Sequence, residues 1–163
     1  MIMLFKIRSI EEIETEILKE KGNVQNFPKT IDFPFPKCYK NMVTVIKTTE
    51  IASEAIVYSA IEAVNENKEF VLPDSWCFAG NGQGDRWFLD RSGAVFFYNH
   101  DDDEKLEPMN ISFEEWLQMA FIVQQLDFYL DEYDEVSEPV RQNFYDTLNA
   151  IHPQLGENYP FIV

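Results

Sequence analysis

Gly80-Asn81-Gly82-Gln83-Gly84-Asp85 is the run whose residue types most invite chemistry, because closely spaced glycines let backbone amides converge on a phosphate. A phosphate loop needs Lys and then Ser or Thr after its last glycine, and a dinucleotide fingerprint needs different spacing and a following helix. Here Asp85 and a strand pattern follow, so the run reads as a turn. His100-Asp101-Asp102-Asp103-Glu104 offers one imidazole and four carboxylates, which could hold a divalent cation through oxygen ligands. The alternating Asp-x-Asp-x-Asp-Gly spacing of a calcium loop is missing, and a run of like charges reads as a solvated loop. Neither His100 nor His152 has a neighbouring Ser or Cys to activate, and Cys38 and Cys77 lie outside any CxxC or zinc pattern. An acid and base pair cannot be picked from 29 acidic side chains without spatial information. The expectation is therefore no catalytic set, no cofactor and no metal.

The elements that would position these residues are read from caps and periodicity. Ser9-Ile10-Glu11-Glu12 is a capping-box pattern, Ile10, Ile13 and Ile17 share one helical face, and Gly22 offers a left-handed stop. Residues 22–36 contain Pro28, Pro34 and Pro36 among Phe27, Phe33 and Phe35, which predicts an extended connection anchored by aromatic rings. Residues 37–47 favour helix over strand on the spacing of Tyr39, Met42, Val43 and Ile46. A further helix is expected from a Thr48 or Thr49 cap to Asn65, with Ile51, Ala55, Tyr58, Ile61 and Val64 as its stripe. Phe70-Val71-Leu72-Pro73 should be extended, with Pro73 ending any pairing.

Residues 86–90 and 94–99 read as aromatic strands joined at Arg91-Ser92-Gly93, where glycine can supply a positive φ. Large side chains occupy both parities, which predicts a central hairpin covered on both faces. Trp76, Trp87 and Trp116 with Phe96, Phe97 and Tyr98 could line a ligand groove, but their strand and helix spacing assigns them to the core. Ser112 with Glu115 is a second capping box, with Ile111 and Trp116 as its hydrophobic staple. Its helix should turn Phe113, Trp116, Leu117, Ala120, Phe121 and Gln124 inward and run to Leu130, before an acidic turn. Pro139 starts a last helix with Val140, Phe144, Leu148 and Ile151 on one face, and the apolar tail should dock on the body or add an edge strand.

A chain of 163 residues with 45% hydrophobic and 15% aromatic content can build its own core, and one domain over residues 1–163 is expected. Its formal net charge of -16 argues against nucleic acid, whose phosphates require a basic surface, and favours basic or neutral partners. No apolar run has membrane-spanning length, and the N-terminal apolar run lacks a signal-peptide pattern, so a cytoplasmic location with no membrane partner is expected. The residues placed in a partner-facing surface are Asp85, Asp101, Asp102, Asp103, Glu104, Asp131, Glu132, Asp134 and Glu135, with Asp127 adding to the second group. Oligomeric state is left open.

The sequence resembles the Smi/Knr cell-wall-assembly-regulator family of the SUKH superfamily, which is rich in bacterial immunity proteins. The resemblance rests on Gly80-Asn81-Gly82-Gln83-Gly84-Asp85, Phe88-Leu89-Asp90, Ser92-Gly93, Val95-Phe96-Phe97-Tyr98, His100-Asp101 and Ser112-Phe113-Glu114-Glu115-Trp116-Leu117, in that order. It implies an α+β domain with a central, mainly antiparallel or mixed sheet flanked by helices, and no enzymatic activity. It further implies a protein partner, a cognate toxin with a basic surface that is neutralised by complex formation. Two alternatives remain open: a regulatory or scaffold role in cell-wall (glucan) assembly, and a small-ligand-binding protein.

Overall fold

Ser9 starts the first element by accepting the Glu12 amide (3.2 Å), and helix α1 (Ile10–Ile17) then buries Ile13 and Ile17. The chain is described here from a computed structural model covering residues 4–102 and 105–163. Gly22 is not the left-handed stop its position suggested. Its amide donates to the Val45 carbonyl (3.0 Å) beside a bridge between Lys21 and Ile46, and a Cβ there would lie 3.0 Å from the Lys47 nitrogen. Glycine serves close backbone approach at this point. The connection that follows packs as expected, with Phe27 stacked on Phe35 (4.5 Å) and Phe35 edge-on to Trp76 (4.9 Å). Helix α2 (Lys37–Val43) buries Tyr39, Met42 and Val43.

The helix expected over residues 48–65 is instead a hairpin and a shorter helix. Strands β1 (Thr49–Ala52) and β2 (Ala55–Val57) pair antiparallel, and helix α3 (Ala60–Glu69) starts after Ser59, whose side chain accepts the Glu62 amide. Ile61, assigned to the buried stripe, is 56% exposed. Asn67 of α3 gives its amide nitrogen to the Cys77 carbonyl (2.8 Å) and takes the Cys77 amide on its oxygen (2.8 Å). Cys77 lies beyond the reach of β2, so Asn67 satisfies backbone groups that would otherwise be buried unpaired.

Strands β3 (Ser75–Gly80), β4 (Arg86–Asp90), β5 (Ala94–Tyr98) and β6 (Leu106–Ser112) complete one open sheet in the order β1-β2-β3-β4-β5-β6, antiparallel throughout. The hairpin of β4 and β5 was legible, whereas β3 and β6 were not assigned as strands. Asp90 organises the turn between β4 and β5 by accepting the Ser92 and Ala94 amides (2.9 and 3.0 Å), with Gly93 at φ +87°. One face of this hairpin puts Trp87, Leu89, Val95 and Phe97 into the main core. The other puts Phe88 and Tyr98 with Cys77 under Phe70, Leu72 and Phe96.

Helix α4 (Phe113–Tyr133) carries the full capping box between Ser112 and Glu115 and lays Phe113, Trp116, Leu117 and Ala120 on the sheet. It runs past Leu130, so Asp131 and Glu132 belong to its last turn, and Asp134 closes it with φ 64°. Helix α5 (Glu138–Ile151) buries Val140, Phe144 and Leu148 as predicted. A short α6 (Leu155–Asn158), not foreseen, turns the tail back so that Phe161 packs on Phe97 (5.1 Å) and Trp87 (6.4 Å). The fold is thus an α+β domain with an open antiparallel sheet flanked by helices.

Candidate functional site

In an up-and-down antiparallel sheet, alternate connections fall at the same end. The β1–β2, β3–β4 and β5–β6 connections therefore share one end, and their described residues include Ser53-Glu54, Asn81 to Asp85, and Asn99 to Asp102. Helix α4 starts at the opposite end, where Ser112 pairs with Ala94, and returns along the sheet to reach β1. There Gln124 Nε2 donates to the Ile51 carbonyl (3.1 Å), and Asp127 accepts both the Ser53 amide (2.8 Å) and the Ser53 hydroxyl (2.9 Å). Acidic residues from four separate parts of the chain are so gathered at one end of the sheet.

Asp85 anchors the middle of this end. Its Oδ1 accepts the His100 amide (3.0 Å) and lies 2.7 Å from His100 Nδ1, while Oδ2 accepts from Asn81 Nδ2 (3.0 Å). The contact at 2.7 Å requires the proton on Nδ1. Burial acts to raise the Asp85 carboxyl, but the hydrogen bonds from His100 and Asn81 outweigh it and hold the group below the ordinary range. His100 is raised in turn, first by its hydrogen bond to Asp85 and also by Asp101, whose Oδ1 lies 3.2 Å from Nε2. Gly84 leaves room for this ring: it takes φ +96°, and the imidazole passes 3.5 Å from where its Cβ would stand.

Two amides at the centre of the glycine-rich turn are taken up within the turn itself. Asn81 Oδ1 accepts from the Gln83 amide (2.9 Å) and the Asp85 amide (3.1 Å), and a strand follows. Asn81 also gives Nδ2 to Glu54 (3.2 Å). Burial raises the Glu54 carboxyl, Asn81 opposes this, and the charges of Asp85 and Asp127 raise it further. The charges of Asp85 and Asp127 thus both bear on Glu54. Among the described residues, no three His, Cys, Asp or Glu side chains are grouped to hold a metal ion.

The residues read from sequence as partner-facing separate into three groups. Asp85 is only 6% exposed and works as an internal clasp, because its oxygens are turned onto His100 and Asn81 instead of outward. Asp101 and Asp102 are exposed on the β5–β6 connection, and Asp103 and Glu104 lie outside the described residues. Asp131, Glu132, Asp134 and Glu135 are exposed at the C-terminal end of α4. Sequence reasoning missed Glu50, Glu54 and Phe128. An open groove of about 550 Å³ between β1 and α4 is bordered by Glu50, Asp127, Phe128 and Asp131. No local motif marks these, since β1 and α4 meet only in the folded chain.

The model of the SMI1 / KNR4 family (SUKH-1) matches residues 20–119, more than half of the sequence. The chain belongs to the SMI1 / KNR4 family. The match takes in all six strands, the Asn81, Asp85 and His100 clasp and the capped start of α4. The groove-lining part of α4, with Asp127, Phe128 and Asp131, lies C-terminal to it. No curated protein and no solved structure matches the chain. Among the described residues, no helix is long and apolar enough to cross a membrane.

Proposed function

We propose that this SMI1 / KNR4 family member is a non-enzymatic, cytoplasmic protein-binding domain that neutralises a cognate toxin by forming a complex with it. The observation that supports this reading is the exposed acidic surface made by Asp101 and Asp102 beside the clasp of Asp85 and His100, and by Asp131 and Glu132 on the last turn of α4. A toxin that acts on an anionic substrate such as nucleic acid needs a cationic surface to hold it. A rigid acidic surface is steered onto such a site by the field of the whole molecule and displaces substrate by occupying it. The net charge of -16 supplies the long-range attraction, and the β-turns and α4 supply a fixed scaffold for it.

The test is rescue of growth by this chain in cells that express a candidate toxin with a basic substrate-binding surface. Cells expressing that toxin should grow when this chain is co-expressed, and the two purified proteins should co-elute at low salt. No rescue and no co-elution would remove the neutralisation reading.

A further inference from the structure

Phe128 is 61% exposed on a helix that buries Met119, Val123 and Leu126 on its opposite face, and it separates two hollows. On one side lies the groove against β1, bordered by Glu50, Asp127 and Asp131. On the other lies a hollow of about 270 Å³ formed with Leu4, Tyr129, Glu132 and Tyr133. Leu4 and Tyr133 are themselves 40% and 56% exposed, and the Tyr129 and Tyr133 rings pack 4.6 Å apart. An aromatic side chain standing between hollows, ringed by charge, has the anatomy of an interface anchor with a polar rim. Among the described residues no lysine or arginine lines either hollow.

We propose that the two hollows astride Phe128 form one docking surface for a cationic, apolar-bearing segment of a protein partner. Phe128 is its anchor, and Glu50, Asp131 and Glu132 pair with the partner's Lys or Arg side chains. The proposal rests on the reading of this chain as a binder of a basic protein and names the face it uses. Charge selects the occupant: a second copy would set these carboxylates against their own equivalents, and an anionic surface would be repelled. Recognition runs through side chains, because the Ile51 carbonyl of edge strand β1 and the Ser53 amide of the turn that follows it are already taken by Gln124 and Asp127. A guanidinium or ammonium group from the partner also gains from lying over the exposed Phe128 ring.

The experiment titrates the isotope-labelled protein, followed by amide chemical shifts, with a short synthetic peptide of alternating Lys and Leu and with its Glu and Leu counterpart. The Lys peptide should shift the amides of Ser53, Phe128, Tyr129 and Asp131, and the Glu peptide should shift none of them. Phe128→Ser leaves the net charge unchanged and alters an exposed side chain, so it should fold normally and weaken Lys-peptide binding at least about tenfold. Equal affinity in Phe128→Ser, or shifts confined to the Asp101 and Asp102 loop, would overturn the proposal. So would a wild-type dimer that Phe128→Ser dissolves, since the occupant would then be a second copy. Toxin binding that survives Phe128→Ser overturns this surface alone, whereas absent toxin binding with the peptide response intact overturns neutralisation alone.

Discussion

Asp85 stays charged although only 6% of it reaches solvent, because His100 and Asn81 satisfy both of its oxygens. The pair predicts a two-sided pH dependence. The lowered Asp85 carboxyl contributes stability above its unfolded value and loses it as pH falls through its folded value. The raised His100 contributes fully below its ordinary value of 6.5 and loses that contribution as pH rises through its folded value. Thermal melts of wild type and His100→Gln should therefore differ most between about pH 5 and about pH 6.5, and the gap should narrow towards about pH 9. A gap constant across that range would show that the charge of His100 is not involved. At Gly80 the constraint is steric, since a Cβ there would overlap the Tyr58 hydroxyl. Gly80→Ala should cost about 1–3 kcal/mol in denaturant unfolding, and Tyr58→Phe in the same background should recover part of it.

Helix α4 owes its start to Glu115 as much as to Ser112. One Glu115 oxygen accepts the Ser112 amide (3.1 Å), and the other lies 2.9 Å from His152 Nδ1 at the end of α5. Glu115→Ala should cost about 1–2 kcal/mol, more than a cap alone, and a double-mutant cycle with His152→Ala should be non-additive by at least about 0.5 kcal/mol. Strict additivity would separate the cap from the contact to α5. The caps at Ser9, Ser59 and Ser112 act on amides three residues away, and two of the three were read from sequence for that reason. The Asp90 to Gly93 turn was legible because Gly93 must take a positive φ. The β1–β2 turn was not, since Ala52-Ser53-Glu54-Ala55 contains no Gly, Asn or Asp and is held from outside by Asp127. Ile51, Ala55 and Tyr58 happen to repeat at helical spacing, and that coincidence masked two strands. Strand β6 was hidden by Pro108 and Asn110, which an edge strand tolerates.

At the scale of the whole molecule, 29 acidic side chains could be counted in the sequence, but their grouping could not. The clasp turns Asp85 inward, while the return of α4 brings Asp127 to Ser53 and carries Asp131 to the groove beside Glu50. Family membership was legible because its signals are local turns, strands and a cap, and those same signals build the sheet end where the acids collect. The central claim is that this acidic end captures a basic protein partner. Stopped-flow association with the toxin recovered by growth rescue tests it most directly, from about 20 mM to about 500 mM salt. The association rate should fall at least about tenfold across that range, and Asp131→Lys with Glu132→Lys should lower it at low salt without altering the fold. A rate that ignores both salt and charge reversal would contradict the account.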